Sequence, residues 1–177
     1  ADDAKKTDSS TDKSDDITFR KPESQDGSRV HKLISECKPL DENSVYCNLL
    51  QCTHFAATSV AVEEDGRLVG FISAHRPPEK SDTVFVWQVV VDKSQRGRGL
   101  AKRMLKEIIK RPACEGVSFL ETTITPDNEA SWALFRSFAR DLNTELNHDI
   151  WFEKDAHFGG QHDSEALLRI GPFAAQK

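Results

Sequence analysis

The spacing of apolar residues changes period several times along the chain, and each change marks an element. ITFRKP alternates briefly before Pro22 stops it, which predicts a short edge strand. In SQDGSRVHKLISEC, Val30, Leu33, Ile34 and Cys37 fall at helical spacing. PLDENSVYCNLLQCTHF predicts a second helix, with Asp41 or Asn43 as its cap, Val45, Leu49 and Cys52 along one face, and Tyr46 and Leu50 beside it. SVAVEEDGRLVGFISAHRPP holds two β-prone runs joined at Asp65-Gly66, a pair that suits the positive φ of a tight hairpin turn.

DTVFVWQVVVD is the most β-prone run and is apolar on both faces from Trp87 to Val91, the pattern of a covered central strand. It runs straight into QRGRGLAKRML. Leu100, Met104, Leu105, Ile108 and Ile109 then form a helical stripe that Pro112 ends, and VSFLETTIT reads as the next strand. PDNEASWALFRSFARDL predicts a helix opened by Pro126 and Asp127 or Asn128, with Ala130, Leu134, Phe135 and Phe138 on its inner side. IWFEKD and SEALLRIGPF supply two last strands around a loop. Strands and helices mixed in this order predict an α/β (α+β) domain, a sheet flanked by helices.

Composition adds the bounds. A chain of 177 residues suits one globular domain, placed here at residues 17–173, with a short C-terminal tail at 174–177. The net charge of -5 is concentrated in residues 1–16, where Asp2, Asp3, Asp8, Asp12, Asp15 and Asp16 outnumber Lys5, Lys6 and Lys13. That opening has no large apolar residue and is expected to be a disordered acidic tail. No apolar run is long enough to span a bilayer, and no signal-peptide pattern opens the sequence, so no membrane and a cytoplasmic address are expected. Cys37, Cys47, Cys52 and Cys114 form no CxxC pair and have no histidines at zinc-finger spacing, which predicts reduced thiols and no metal. The basic residues from Arg96 to Arg111 make one local cluster in an acidic protein, which favours a compact anionic ligand over nucleic acid.

The chemistry concentrates in QRGRGLA, where a buried strand passes through a glycine turn into a helix. The first N–H groups of that helix need acceptors, and a phosphate is a natural one. Gly97 and Gly99 remove side chains where a ligand would meet the backbone, while Arg96 and Arg98 add charge to the positive end of the helix dipole. The outline is that of a pyrophosphate site.

RGRGLA, residues 96–101, resembles the cofactor signature of the GCN5-related N-acetyltransferases (GNAT), and the element order over residues 17–173 is similar to theirs. The resemblance implies the GNAT fold, a central mixed, largely antiparallel sheet, with acetyl-coenzyme A as co-substrate. It implies a cofactor site at Arg96, Gly97, Arg98, Gly99, Leu100 and Ala101, with Asn128 and Ser131 on the later helix, Asn128 being alternatively a plain helix cap. Backbone N–H groups at Val89 and Val91 would take the pantetheine arm and polarise the thioester carbonyl. PLDENSVYCNLLQCTHF, VFVWQVVVD and LETTITPDN further resemble the diaminobutyrate acetyltransferases of ectoine synthesis, which form N4-acetyl-L-2,4-diaminobutyrate and whose likeness also implies a homodimer.

An alkyl ammonium with a pKa of about 10.4 costs roughly 4–5 kcal/mol to deprotonate near pH 7, so the site must help remove a proton. Asp41 and Glu42 precede the second helix, where they either receive substrate ammonium groups or cap that helix; Tyr46 shares their surface. A carboxylate raises the pKa of an amine it pairs with, so recognition is their main expected role, with a water-relayed proton as a second. Trp87 either walls and desolvates the amine or packs in the core. Glu121 and Thr123 share a strand face and are expected at the substrate, as is His162 of HFGGQHDSE, with ordinary strand and surface roles as the alternatives. Family members often carry a tyrosine on the later helix to protonate the departing thiolate; Phe135 stands there, leaving Tyr46, Ser131 or water for that step. The scaffold alone does not fix the acceptor, so another amine or a noncatalytic acyl-coenzyme A binder stays open at this stage.

Overall fold

The computed structural model describes residues 17–174; the expected acidic tail at 1–16 and residues 175–177 of the expected C-terminal tail lie outside the described residues. The chain runs β1 (Ile17–Arg20), α1 (Asp26–Glu36), α2 (Val45–Thr53), β2 (Val60–Glu64), β3 (Arg67–His75), β4 (Thr83–Val91), α3 (Leu100–Ile109), β5 (Phe119–Ile124), α4 (Glu129–Asp141), β6 (Leu146–Phe152) and β7 (Glu165–Ile170). The strands form one sheet in the order β1-β2-β3-β4-β5-β7-β6. Only β4 and β5 run parallel; the other neighbours are antiparallel, so the sheet is mixed and largely antiparallel.

Alternation along the strands divides the core in two. Val60, Val62, Ile72, Val84, Val86, Leu120 and Leu168 pack with Met104 and Leu105 of α3 and Phe135 and Phe138 of α4. On the opposite face, Ala61, Phe71 and Val90 pack with Val30, Leu33 and Ile34 of α1 and Cys52 of α2. The β2–β3 turn takes positive φ at both Asp65 (52°) and Gly66 (76°), as the dipeptide predicts. All four cysteines are free thiols, and burial pushes Cys52 up to about 12 and Cys114 up to about 11, which keeps them protonated and inert.

Two helix faces differ from the pattern. In α2 the buried residues are Asn48, Gln51 and Cys52, whereas Val45 and Tyr46 lie open. The two amides meet through one bond, Asn48 Nδ2 to Gln51 Oε1 at 3.0 Å, while among the described residues Asn48 Oδ1 and Gln51 Nε2 are buried without a partner. The helix is capped by Ser44, whose Oγ accepts the Cys47 N–H at 3.1 Å, so neither Asp41 nor Asn43 is the cap. In α4, Phe135 and Phe138 are buried as expected, but Ala130 is exposed.

The sheet opens at its centre. Thr83–Val86 pair with Phe119–Thr122, and Thr122 Oγ1 donates to Val86 O at 3.0 Å at the last pair. Beyond it, Trp87–Val91 have no β5 partner, and β4 and β5 part. On the other edge of β4, Ser73 pairs with Gln88 and Ala74 with Val86, so Trp87 is the extra residue of a β-bulge. The Gln88 N–H turns to Ser73 Oγ at 3.0 Å.

Candidate active site

On the α3–α4 side of this opening lies a cleft of about 450 Å³. Of the residues expected at a cofactor, Val91, Arg96, Gly97, Gly99, Leu100, Ala101 and Ser131 line it. Gly97 (φ 79°) and Gly99 (φ 69°) both adopt the left-handed region, which reverses the chain out of β4 and aims the start of α3 at the cleft. The first α3 backbone bond is Arg103 N–H to Gly99 O at 3.1 Å, leaving the preceding N–H groups free of intrahelical partners. Glycine turn, helix dipole and Arg96 together make a site for a compact anion.

The other expected cofactor residues sit differently. Asn128 is the N-cap of α4, its Oδ1 accepting the Ser131 N–H at 3.2 Å. Arg98 turns away, toward Gln95 Oε1 at 3.0 Å and Glu64 Oε2 at 3.6 Å. Val89 is half-buried against the core on the free stretch of β4. Sequence reasoning missed Ala130, Leu134 and Ser137, which line the cleft at helical i, i+4, i+7 spacing, and Lys102, whose Nζ reaches Ser137 Oγ at 2.9 Å and joins α3 to α4. That spacing was visible, but small and apolar residues on such a stripe read as core.

The residues expected at an acceptor belong mostly to the opposite face, that of α1 and α2. In the parallel β4–β5 pair, Phe85 lies beside Glu121, so Glu121 and Thr123 share the face of Phe85. Trp87 is 45% exposed, which removes the core-packing alternative. Tyr46 is 68% exposed on α2. Asp41 stands in the α1–α2 loop with its carboxylate 88% exposed, 3.6 Å from His162 Nε2 of the β6–β7 loop. Residues remote in sequence are thus brought together there.

The His162 ring is fixed from several sides. Its Nδ1 is 2.6 Å from the Asp163 carbonyl, and Phe158 packs on it at 4.6 Å between centroids. The Asp163 carbonyl raises the imidazole pKa above its ordinary value, partial burial opposes this, and the Glu165 and Asp41 charges add to the rise. Glu42 pairs instead with Lys38 at 3.1 Å on the surface. Glu121 is buried between Lys80 Nζ (3.0 Å) and Arg169 Nη1 (2.5 Å).

A fastener that sequence reasoning missed joins these parts. Asn43 Nδ2 donates to Gln88 Oε1 at 3.2 Å, tying the Asp41 loop to the bulge that carries Trp87. Two amides 45 residues apart carry no signal in one sequence. Among the described residues no group of three or more His, Cys, Asp or Glu side chains can hold a metal, and no helix is long and apolar enough to cross a membrane.

The model of the acetyltransferase (GNAT) family matches residues 28–139, more than half of the chain. The L-2,4-diaminobutyric acid acetyltransferase of Methylotuvimicrobium alcaliphilum is 51% identical over 90% of this chain and 92% of its own. That of Vibrio parahaemolyticus is 48% identical over 86% of this chain and 84% of its own. Among solved structures, diaminobutyrate acetyltransferase from Paenibacillus lautus, in complex with L-2,4-diaminobutyric acid and coenzyme A, superposes with a TM-score of 0.85 at 40% identity, covering 92% of this chain and 99% of its own.

Proposed function

The chain belongs to the acetyltransferase (GNAT) family, and on that premise we propose that it transfers the acetyl group of acetyl-coenzyme A to N4 of L-2,4-diaminobutyrate. The observation that carries this reading is the likeness, over nearly the whole chain, to the Paenibacillus lautus enzyme solved with that diamino acid and coenzyme A. The product is the acetylated intermediate of ectoine synthesis, a response to osmotic stress. We place the enzyme in the cytoplasm as a homodimer.

The residues fit the co-substrate. Gly97 and Gly99 present bare backbone, the first α3 amides lack intrahelical partners, and Arg96 supplies positive charge for the pyrophosphate, Lys102 being paired with Asp141 at 3.0 Å. Acetyl-coenzyme A supplies an activated acyl group whose carbonyl needs only polarisation. The β4 edge from Val89 to Val91, unpaired with β5, offers backbone groups for the pantetheine amides and for that carbonyl. Asn128 serves through Ser131, whose N–H it holds at the cleft.

On the acceptor side, Asp41 receives an ammonium with His162 beside it, and Tyr46 of α2 and Thr123 of β5 are the further side chains we assign to that face. Trp87, half-exposed at the bulge, screens the attacking nitrogen from water and lowers its pKa. Phe135 is buried among apolar residues and has no hydroxyl, so the thiol leaves with a proton from Tyr46, Ser131 or water. A thiol pKa of about 8.5 makes that step undemanding.

The test is free-thiol release from acetyl-coenzyme A with 2,4-diaminobutyrate, ornithine, lysine and a lysine peptide in parallel, followed by NMR of the product. Selective acetylation of N4 of diaminobutyrate is the expected result. Preference for the peptide, or binding of the co-substrate without turnover, would overturn it.

A further inference from the structure

In the proposed reaction Asp41 holds one ammonium of the acceptor, and Trp87 stands at the other nitrogen, the one that attacks. The two side chains come from the α1–α2 loop and from β4, so the distance between them is set by whatever joins loop to strand. In extended 2,4-diaminobutyrate the two nitrogens lie roughly 5 Å apart at standard bond lengths and angles, and each methylene added or removed changes that span. The join therefore bears on which diamino acid fits.

Among the described residues, the hydrogen bonds of residues 38–44 are local with one exception. Leu40 N–H turns back to Cys37 O at 3.1 Å, Lys38 pairs with Glu42, and Ser44 caps α2. Asp41 itself meets His162, which lies on another loop. The exception is Asn43 Nδ2, which donates to Gln88 Oε1 at 3.2 Å. Asn43 is two residues from Asp41 and Gln88 is next to Trp87, so this bond links the two ends of the proposed acceptor site directly.

Both partners are anchored. Asn43 immediately precedes the cap that fixes the start of α2. Gln88 is buried, and its backbone N–H is held by the Oγ of Ser73, itself buried, at 3.0 Å. The bulge at this point takes Trp87 out of the ladder, a device that re-aims a side chain beside an active site. The tie thus fastens a loop without other hydrogen bonds to the sheet onto a firm point of β4.

An amide pair suits the task. A carboxylate at either position would compete with Asp41 for the ammonium, whereas a neutral hydrogen bond sets distance and direction without adding charge. We infer that the Asn43–Gln88 bond sets the span between Asp41 and Trp87, which makes Asn43 and Gln88 the positioning residues that match the site to the chain length of the acceptor. The inference rests on the proposed acceptor.

The test offers the enzyme an equimolar mixture of L-2,3-diaminopropionate, L-2,4-diaminobutyrate and L-ornithine, and reads the product ratios, which report relative kcat/KM, by mass spectrometry. Gln88→Met keeps the length of the side chain and removes the accepting oxygen; Asn43→Ala removes the donor at the other end. Each is expected to cut the preference for diaminobutyrate over its shorter and longer homologues at least about fivefold, with the acetyl-coenzyme A KM unchanged. The double variant should lose no more than either single one, because both break the same bond. A general loss of folded enzyme lowers all three acceptors alike and leaves the ratios untouched, so Gln88→Met decides the matter by its ratios if Asn43→Ala does not fold. Unchanged ratios, or losses that multiply in the double variant, would overturn the inference while leaving the proposed activity intact. A wild-type enzyme that ignores diaminobutyrate would instead overturn the activity, and this inference with it.

Discussion

The two sides of the β4–β5 opening are built in opposite ways. The cofactor side is dominated by one continuous stretch, Val91 to Lys102, joined by a stripe of α4. The acceptor side as proposed draws on Asp41, Trp87 and His162, which belong to three separate segments. A pyrophosphate is met mainly by backbone amides and a helix dipole, which a short local motif can supply. A small diamino acid has charges pointing several ways, and only side chains converging from different elements can answer them.

The largest effect should come from Gly99→Glu. A side chain at φ 69° strains the turn, and its carboxylate adds negative charge where we propose the pyrophosphate to bind. Coenzyme A affinity should fall more than about a hundredfold in calorimetry. Retained affinity would remove the glycine turn from the site.

Next comes Asp41→Ala. Losing the carboxylate proposed to pair with the substrate ammonium should raise the amine KM about tenfold, with the acetyl-coenzyme A KM unchanged. Glu42→Ala, which removes only the surface pair with Lys38, should stay within about twofold. Equal effects would mean that the acceptor site uses both carboxylates.

Phe135→Tyr probes the boundary between the sides. A buried hydroxyl without a partner should cost about 1–3 kcal/mol, read as a Tm lower by several degrees. The turnover number should not rise; a marked increase would show that the hydroxyl reaches the thiolate after all.

The smallest effect concerns protonation. The folded imidazole of His162 has a raised pKa, so its contact with Asp41 is fully present below the ordinary value of about 6.5 and is lost as pH rises through the raised one. NMR titration should place the His162 midpoint above 6.5 and show it falling in Asp41→Ala. An unchanged midpoint would disconnect the two loops.

The sequence made the element order, the Asp65-Gly66 turn, the α3 stripe and the anion-binding turn legible, because each rests on periodicity or on the φ range of glycine. Its pattern misplaced the buried face of α2, because Asn48 and Gln51 turn inward and bond to each other, which polar side chains do not announce locally. It also left open whether Asp41 caps a helix; Ser44 does so, and Asp41 is free to face His162. The Asn43–Gln88 bond and the Lys80–Glu121–Arg169 cluster lay beyond it, because partners up to 48 residues apart leave no local trace.

Local rules thus determined which segments became strands, helices and turns, and where a phosphate could be held. Tertiary structure decided where β4 leaves β5, which carboxylate meets His162 and which is clasped between two cations. Those outcomes depend on register and on the crossing of distant chains, and a charge acquires its role only when its partners are in place.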